Sequence, residues 1–277
     1  MKDIKMKRIC LFLAAALILS SLAACSSGGG KTVESPDDFK NAKIAVQDET
    51  TADISIQEMI NGGMKINVLR YPQVINCFDD LKAGRVDAVY VDSVVAAFYT
   101  MGAAEYERVW LSSEDEPLGI CLAKGSERLR DAIDAAVATL YYNGKMAEMG
   151  RKHFGNEFAK TRNITSAPVI PEISDADLKT PGMLMVGADI GYPPMEYYDN
   201  DGTTPIGFDI DVGKAIAELL GLDYMVLDTA WDGIFEGVVR GDYDCIISSV
   251  SITPSRLQTY IFTEPYIANA LCIVVKK

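Results

Sequence analysis

The sequence predicts an α/β protein built from two similar halves, and three observations support that prediction. Short apolar runs, typical of buried strands, alternate with amphipathic helical patterns along most of the chain. A stretch rich in proline, serine and acidic residues, Thr165 to Gly182, interrupts this alternation in the manner of a linker. The alternation then starts again at Met183. Each half therefore holds enough strands and helices to form a largely parallel sheet covered by helices.

The predicted elements follow in order along the two halves. In the first half the strand patterns are AKIAVQ, KINVLRY, VDAVYVD and PLGICLAKG, and the helical patterns between them are DETTADISIQEMI, VINCFDDLKAG and SVVAAFYTMG. Two further helices, SERLRDAIDAAVATLYYNG and KMAEMGRKHFG, close this half. After the linker, the strand patterns MLMVGA, DYMVLD, DCIISS and ALCIVVKK alternate with the helical patterns FDIDVGKAIAELLG, WDGIFEGVVRG and PSRLQTYIF.

Composition and charge argue against several classes of function. The formal net charge is −13, so a basic nucleic-acid-binding surface is not expected. The single histidine, His153, lies in the pattern of a structural helix, and no Ser–His–Asp set is evident. Four cysteines beyond the N-terminal region, Cys77, Cys121, Cys245 and Cys272, lack the C-x-x-C spacing of zinc or redox sites, so we expect no metal site. Cys245 and Cys272 lie in apolar strand-like runs and are predicted to be buried thiols. Export permits a disulfide, but the sequence identifies no pair.

The N-terminus has the pattern of an export signal. Basic residues precede the apolar run Ile9 to Leu19, which is too short for a stable membrane span. The sequence LAAC, which ends at Cys25, resembles a bacterial lipoprotein cleavage site, and SSGGGK follows it as a flexible tether. We therefore predict a signal peptide over residues 1–24, lipid on Cys25, a tether over residues 25–36 and a protein anchored outside the cytoplasmic membrane. An ordinary secretory signal with an incidental cysteine is the alternative.

Extended motifs in both halves resemble a single family. GYPPMEYYD, GFDIDVGKAIAELLG and TAWDGIFEGVVRGDYDCIISSVSITPSR resemble the first half of the polar amino-acid-binding proteins that serve ABC importers, which have the type II periplasmic-binding-protein fold. KIAVQDETTAD, LKAGRVDAVYVDS and LGICLAKGSERLRDAIDAAVATLYYNG resemble the second half of that family. Because the order is reversed, the chain resembles a circular permutant. The resemblance implies two lobes around a ligand cleft, with lobe 2 over residues 37–118, lobe 1 over residues 119–277 and the permutation linker over residues 160–181.

The permutation leads to an expectation about the hinge. If the new chain ends lie in a hinge crossover, only the segment from Pro117 to Leu122 joins the two lobes covalently. Residues 270–277 then lie beside that segment, paired with it, and end there. Two continuous crossings between the lobes would contradict the permutation. A fragment spanning two tandem domains is the alternative interpretation.

For lobe 1, the resemblance implies contacts with the α-carboxylate of a free L-amino acid. Arg256 is implied as the cation that binds the carboxylate, with Ser249 and Ser251 as further contacts. Thr253 and Pro254 suit the start of a helix, where a carboxylate is also favoured. An ordinary surface arginine is the alternative.

For lobe 2, the resemblance implies donors from Thr50 and Thr51 at a helix start and an anion, Asp92, for the α-ammonium group. An aspartate at a strand end can instead cap the helix that follows it. Glu49 departs from the family pattern, which has glycine before the threonine pair. This departure puts the local backbone conformation in question.

Around the ligand side chain, the resemblance places Asp189, Tyr192 and Trp231. Aromatic faces beside a carboxylate suit a cation, which favours arginine or lysine. Glutamine, cystine or another polar amino acid is the alternative, because related proteins that bind glutamine also carry an aspartate at this position.

The resemblance implies capture of the amino acid by hinge closure and delivery to the transmembrane subunits of an ABC importer. We expect a monomer that needs no cofactor and contacts the membrane through Cys25. A sensor or receptor lobe is one alternative. An enzyme of the same fold, such as a dehydratase, is another, and conversion of an added amino acid would support it.

Overall fold

The computed structural model describes residues 32–102, 105–155, 158 and 160–277. The predicted signal peptide, Cys25 and most of the predicted tether lie outside these residues. The described residues form two five-stranded sheets and a small hairpin. Among the helices in these ranges, none has both the length and the apolar character that a bilayer crossing requires.

Lobe 2 is built around the first sheet. After a 3-10 helix, Pro36–Asn41, its elements are β1 Lys43–Gln47, α1 Thr51–Asn61, β2 Asn67–Tyr71, α2 Val74–Lys82, β3 Ala88–Asp92, α3 Ser93–Thr100, β4 Tyr106–Leu111 and, from the end of the chain, β12 Leu271–Lys276. The strand order is β2-β1-β3-β12-β4.

Lobe 1 is built around the second sheet. Its elements are β5 Cys121–Ala123, α4 Glu127–Tyr142, α5 Lys145–Phe154, a 3-10 helix Asp175–Asp177, β6 Met183–Ala188, the hairpin strands β7 Tyr197–Tyr198 and β8 Pro205–Ile206, α6 Phe208–Leu220, β9 Asp223–Asp228, α7 Trp231–Arg240, β10 Cys245–Ile246, α8 Pro254–Thr259 and β11 Tyr260–Phe262. The strand order is β11-β5-β10-β6-β9.

The two sheets are equivalent in design. In each, three strands run parallel: β2, β1 and β3 in lobe 2, and β9, β6 and β10 in lobe 1. The fourth strand of each sheet is antiparallel and arrives directly from the other lobe, as β12 in lobe 2 and β5 in lobe 1. The predicted two-lobed α/β fold is therefore confirmed.

The hinge differs from the prediction. The chain crosses between the lobes twice, in residues 112–120 and residues 263–270, and the two crossings pair at Leu118 and Ile267. The predicted single crossover is wrong. A circular permutation whose new chain ends lie in a hinge crossover is therefore contradicted. That the two halves are reversed relative to the order in the family stays a prediction from the resemblance.

The error arose from the apolar run that forms β12. This strand was assigned to lobe 1, in the range 119–277, but it lies in the lobe 2 sheet between β3 and β4. A strand buried between two neighbours is apolar on both faces, so its pattern alone does not tell which sheet holds it.

The core follows the helical and strand periods. In α4 the buried residues recur every three or four positions, as in Leu129, Ile133 and Val137, and this face joins one apolar cluster with Phe208 and Val212 of α6. Cys245 and Cys272 are buried, as predicted, and Cys77 and Cys121 are free and buried as well.

The predicted linker runs along the surface of lobe 1 and is tied to it. Arg162 donates to the Asp134 carboxylate at 2.9 Å and to the Pro265 carbonyl at 2.8 Å. The Lys179 N–H donates to the Asp244 carboxylate at 2.7 Å.

Candidate functional site

A cavity lies between the lobes and brings together all of the ligand-binding residues expected from the sequence. Most of its lining follows the carboxyl ends of the parallel strands, which point at the cleft from both sheets. The lining residues are Gln47, Thr50, Thr51 and Asp92 from lobe 2, and Asp189, Tyr192, Glu196, Trp231, Ser248, Ser249, Ser251 and Arg256 from lobe 1.

Arg256 forms the cationic wall of the cavity. Its guanidinium donates to the Ser251 carbonyl at 3.0 Å, and its Cζ lies 5.5 Å from the ring centroid of Trp231 and 4.9 Å from that of Phe235. Burial lowers the pKa of Arg256. Within the described part of the chain, its side chain has no ion-pair partner, so it is available for an anion.

The start of α1 forms the floor on the lobe 2 side. Thr50 caps this helix by accepting from the Asp53 N–H at 3.4 Å, and its hydroxyl donates to the Gln47 carbonyl at 2.8 Å. Glu49 has φ = 60°, in the left-handed region that glycine adopts without steric cost. Glu49 therefore adopts this conformation at a steric cost that the glycine implied by the resemblance would avoid, and its N–H donates to the Asp53 carboxylate at 3.2 Å.

Asp92 is buried at the end of β3. Its carboxylate accepts from the Tyr192 hydroxyl at 2.7 Å and from the Asn269 amide at 2.8 Å. Burial, with the nearby Glu116 carboxylate, raises the pKa of Asp92 to about 7. The side chain makes no capping hydrogen bond to α3, so the helix-cap alternative has no support in the structure.

Asp189 lies opposite, just after β6, and is also buried. Its carboxylate accepts from the Gln47 amide at 2.7 Å, and its N–H donates to the Ser248 hydroxyl at 3.0 Å. Burial raises the pKa of Asp189 to about 6, and the carboxylates of Asp228 and Asp232 add to this increase. The site therefore holds a carboxylate on each lobe whose charge is poorly compensated.

Three hydrogen bonds join the lobes across the cleft. They link Gln47 to Asp189, Tyr192 to Asp92, and the Trp231 Nε1–H to the Glu49 carbonyl at 3.2 Å. The structure therefore shows the lobes closed on the cavity.

Sequence reasoning missed three lining residues. Gln47 ends the strand pattern AKIAVQ, and a polar residue at a strand's carboxyl end was the signal that could have identified it, as for Asp92. Ser248 directly precedes Ser249. Glu196 could not be identified from the sequence, because MEYYD has the pattern of an exposed turn. In the structure Glu196 is only 1% exposed.

One part of the chain matches a known protein family. Residues 184–277 match the family described as bacterial extracellular solute-binding proteins, family 3. The match covers the helix–strand motifs of lobe 1 and the strand β12, and with the two-sheet topology it supports the type II periplasmic-binding-protein fold.

Curated relatives include proteins with amino-acid ligands in their names. A probable amino-acid ABC transporter-binding protein of Haemophilus influenzae is 36% identical over 105 residues, which cover 38% of this chain and 40% of that protein. The L-cystine-binding protein TcyJ of Escherichia coli is 28% identical over 137 residues, covering 48% and 50%. The ABC transporter arginine-binding protein 1 of Escherichia coli is 32% identical over 91 residues, covering 33% and 37%. The chain therefore spans half or less of the length of these relatives.

Among solved structures, the arginine-bound form of domain 1 from TmArgBP is 32% identical. The match covers 35% of this chain and 81% of that domain, with a TM-score of 0.31.

Proposed function

We propose that the protein binds a free L-amino acid with a cationic side chain in the interlobe cleft, reversibly and without changing it. The observation that carries this proposal is the charge pattern of the cavity. Asp92 and Asp189 are buried carboxylates on opposite lobes, and Arg256 is a partly buried cation without an ion-pair partner in the described residues. A cationic amino acid carries the complementary set, two positive groups and one carboxylate.

The α-groups of the ligand would bind between the lobes. Arg256 and the Ser249 and Ser251 positions of lobe 1 would receive the carboxylate, together with the N–H groups at the start of α1. Asp92 would receive the ammonium group. Pairing an ammonium with Asp92 would offset the cost of burying that carboxylate, which is why burial of Asp92 supports a cationic partner.

The side chain of the ligand would lie between Tyr192, Trp231 and Asp189. The Gln47 amide oxygen is buried, faces this cavity and has no donor within the described residues. An ammonium or guanidinium group has several N–H donors and would satisfy both Asp189 and Gln47. A charged hydrogen bond contributes about 1.5 to 3 kcal/mol and a cation–π contact about 0.5 to 2 kcal/mol.

A neutral polar amino acid such as glutamine or cystine is the second candidate. It is favoured by one observation: the Gln47 amide already donates to Asp189 at 2.7 Å, so that carboxylate is partly satisfied without a cation. One of the named relatives is an L-cystine-binding protein. The two candidates differ in the charge of the ligand side chain, which titration with matched ligands separates.

We further propose the cellular context that the family suggests. The protein would be a lipid-anchored monomer outside the cytoplasmic membrane, and closure of the lobes on the amino acid would present it to the transmembrane subunits of an ABC importer. A sensor or receptor lobe would use the same closure to signal through a partner. A dehydratase-like activity would need a product, and finding unchanged amino acid after prolonged incubation with the protein would count against it.

A thermal-shift screen of the twenty amino acids, with ornithine and citrulline added, tests the proposal. A ligand at one hundred times its Kd stabilises the folded protein by about 2.7 kcal/mol. Arginine, lysine or ornithine should give the largest shift. A large shift with glutamine or cystine, and none with the cationic amino acids, would overturn the cationic assignment.

A further inference from the structure

Beneath the interlobe cavity, lobe 1 holds a pair of buried acidic residues, and neither forms an ion pair with a basic side chain of the described residues. Glu196 is 1% exposed and Asp209 is 0% exposed. The two residues are neighbours in space, because the Asp209 N–H donates to the carbonyl of Met195, next to Glu196, at 2.9 Å, and their carboxyl groups are placed to share a hydrogen bond. Two ionised carboxylates cannot share such a contact, because both would be acceptors only and their charges would repel.

The hydrogen bonds of the pair show which group holds a proton. The Asp209 carboxylate accepts from the Ser249 N–H at 2.8 Å and from the Tyr266 hydroxyl at 2.8 and 2.9 Å. Glu196 accepts only from the Ser248 hydroxyl, at 2.6 Å on Oε1, and its buried Oε2 has no donor within the described residues. An oxygen without a donor is satisfied if it carries a proton and donates it.

Each member of the pair holds a part of the cavity wall. Asp209 fixes Ser249, whose φ of 51° is in the left-handed region that is unfavourable for a residue with a side chain. Glu196 holds the Ser248 hydroxyl that accepts from the Asp189 N–H. The Glu196 carbonyl accepts from the Tyr192 N–H at 2.8 Å, so the Tyr192 turn depends on the same residue.

We propose that Glu196 is a positioning residue that is protonated in the folded protein and donates its proton to the Asp209 carboxylate. This hydrogen bond joins the turn that carries Tyr192 to α6, and it sets the Ser248 and Ser249 positions that face the ligand. Burial and the neighbouring Asp209 carboxylate raise the pKa of Glu196 well above its ordinary value, which agrees with the geometry.

The first test is independent of any ligand and measures unfolding by urea as a function of pH. In the unfolded chain Glu196 ionises above about pH 4.3, so this group lowers the stability of the wild type there, a loss that Glu196→Gln lacks. The ratio of the unfolding equilibrium constant of Glu196→Gln to that of the wild type should therefore fall as the pH rises, by up to about tenfold per pH unit from about pH 5 upward. A ratio that does not change with pH would mean that Glu196 is ionised in the folded protein, and would overturn the proposal.

The difference between the two proteins isolates Glu196, because every other group is shared. The titratable groups that face it are Asp189, Asp209, Tyr192, Tyr224 and Tyr266. A second comparison uses the asymmetry of the pair. Glu196→Gln keeps a donor toward Asp209, whereas Asp209→Asn places an amide N–H₂ group among the donors of Ser249 and Tyr266. Equal tolerance of both substitutions, or greater tolerance of Asp209→Asn, would place the proton elsewhere and contradict the assignment.

The last arm measures ligand affinity and rests on the proposed amino-acid binding. Calorimetry with arginine should give Glu196→Ala, which removes the hydrogen bond to Asp209, a Kd at least about tenfold weaker than that of Glu196→Gln, which keeps a donor there, a difference of about 1.4 kcal/mol. Equal affinities of the two variants, with the fold intact, would contradict positioning by a protonated side chain. If the wild type binds no amino acid, the proposed function fails, and the pH dependence of unfolding still decides where the proton lies.

Discussion

The two lobes contribute to the cavity in different ways. On lobe 1, several lining residues are held by contacts within their own lobe: the Arg256 side chain by the Ser251 carbonyl, the Ser249 N–H by Asp209, and the Asp189 N–H by Ser248. On lobe 2, Asp92 is held by Asn269 of the hinge and Tyr192 of lobe 1, and Gln47 contacts Asp189 of lobe 1.

This contrast indicates that the two lobes contribute to different steps of binding. The lobe 1 contacts do not depend on closure, so this half of the site should be preformed when the cleft is open. The lobe 2 contacts with lobe 1 exist only in the closed form. We therefore expect substitutions on lobe 1 to affect the first capture of the ligand, and those on lobe 2 to affect closure.

The largest expected effect is from Arg256→Ala. Removing the cation leaves the ligand carboxylate buried without its partner, which costs about 2 to 5 kcal/mol, or about 30-fold to several thousand-fold in Kd. Calorimetry with arginine measures this loss, and Arg128→Ala is the matched control because Arg128 is exposed on the same lobe, 3.9 Å from Asp177. Similar affinities for the two variants would show that the carboxylate binds elsewhere.

Asp92→Asn should have the next largest effect, because it removes the negative charge that faces the α-ammonium group while keeping the shape of the side chain. We expect a Kd about 100-fold weaker, and the larger part of the change in the dissociation rate. Stopped-flow fluorescence of Trp231 would follow the rate. An unchanged dissociation rate would contradict the role of this lobe in holding the closed form.

Asp189→Asn should change the preference rather than abolish binding. Affinity for arginine should fall about tenfold or more, while affinity for a neutral ligand should change by less than about threefold. The ligand-free variant should also be more stable than the wild type above about pH 6. Folding raises the pKa of Asp189 to about 6, so the wild-type carboxyl group lowers stability as the pH rises from about 4 to about 6. Urea unfolding measures this difference, and a less stable variant at neutral pH would contradict it.

Binding of a cationic ligand should weaken in acid. Asp92 and Asp189 have pKa values raised to about 7 and about 6, and both must be ionised to pair with the ligand. The affinity should therefore be constant above about pH 8 and fall by up to about tenfold per unit as the pH drops through 7 and 6. An affinity for arginine that does not change between these values would show that neither carboxylate contacts a cation.

The smallest expected effect is from Trp231→Phe. The substitution keeps an aromatic face for the ligand but removes the Nε1–H bond to the Glu49 carbonyl across the cleft. A neutral hydrogen bond contributes about 0.5 to 1.5 kcal/mol, so we expect a Kd two- to tenfold weaker, about equally for all ligands. An effect confined to cationic ligands would instead assign Trp231 a role in recognising the side chain.

Much of the fold followed from the sequence, because helix and strand periods are local properties. The strand ends that carry Asp92 and Asp189 are such features, and the extended motifs located the residues that line the cleft. The sequence did not show which sheet contains β12, because an apolar strand fits the centre of either sheet. Glu196 was missed for a related reason: the sequence MEYYD does not reveal that the turn packs against the start of α6 and buries an acid.

The most direct test of the proposed cationic ligand is calorimetry with arginine and with citrulline, its neutral isostere, under identical conditions near neutral pH. The charge pattern of Asp92, Asp189 and Arg256 predicts tight binding of arginine and a Kd for citrulline weaker by about tenfold or more. Equal affinities, or tighter binding of citrulline, would contradict the proposal that the cleft recognises a cationic side chain.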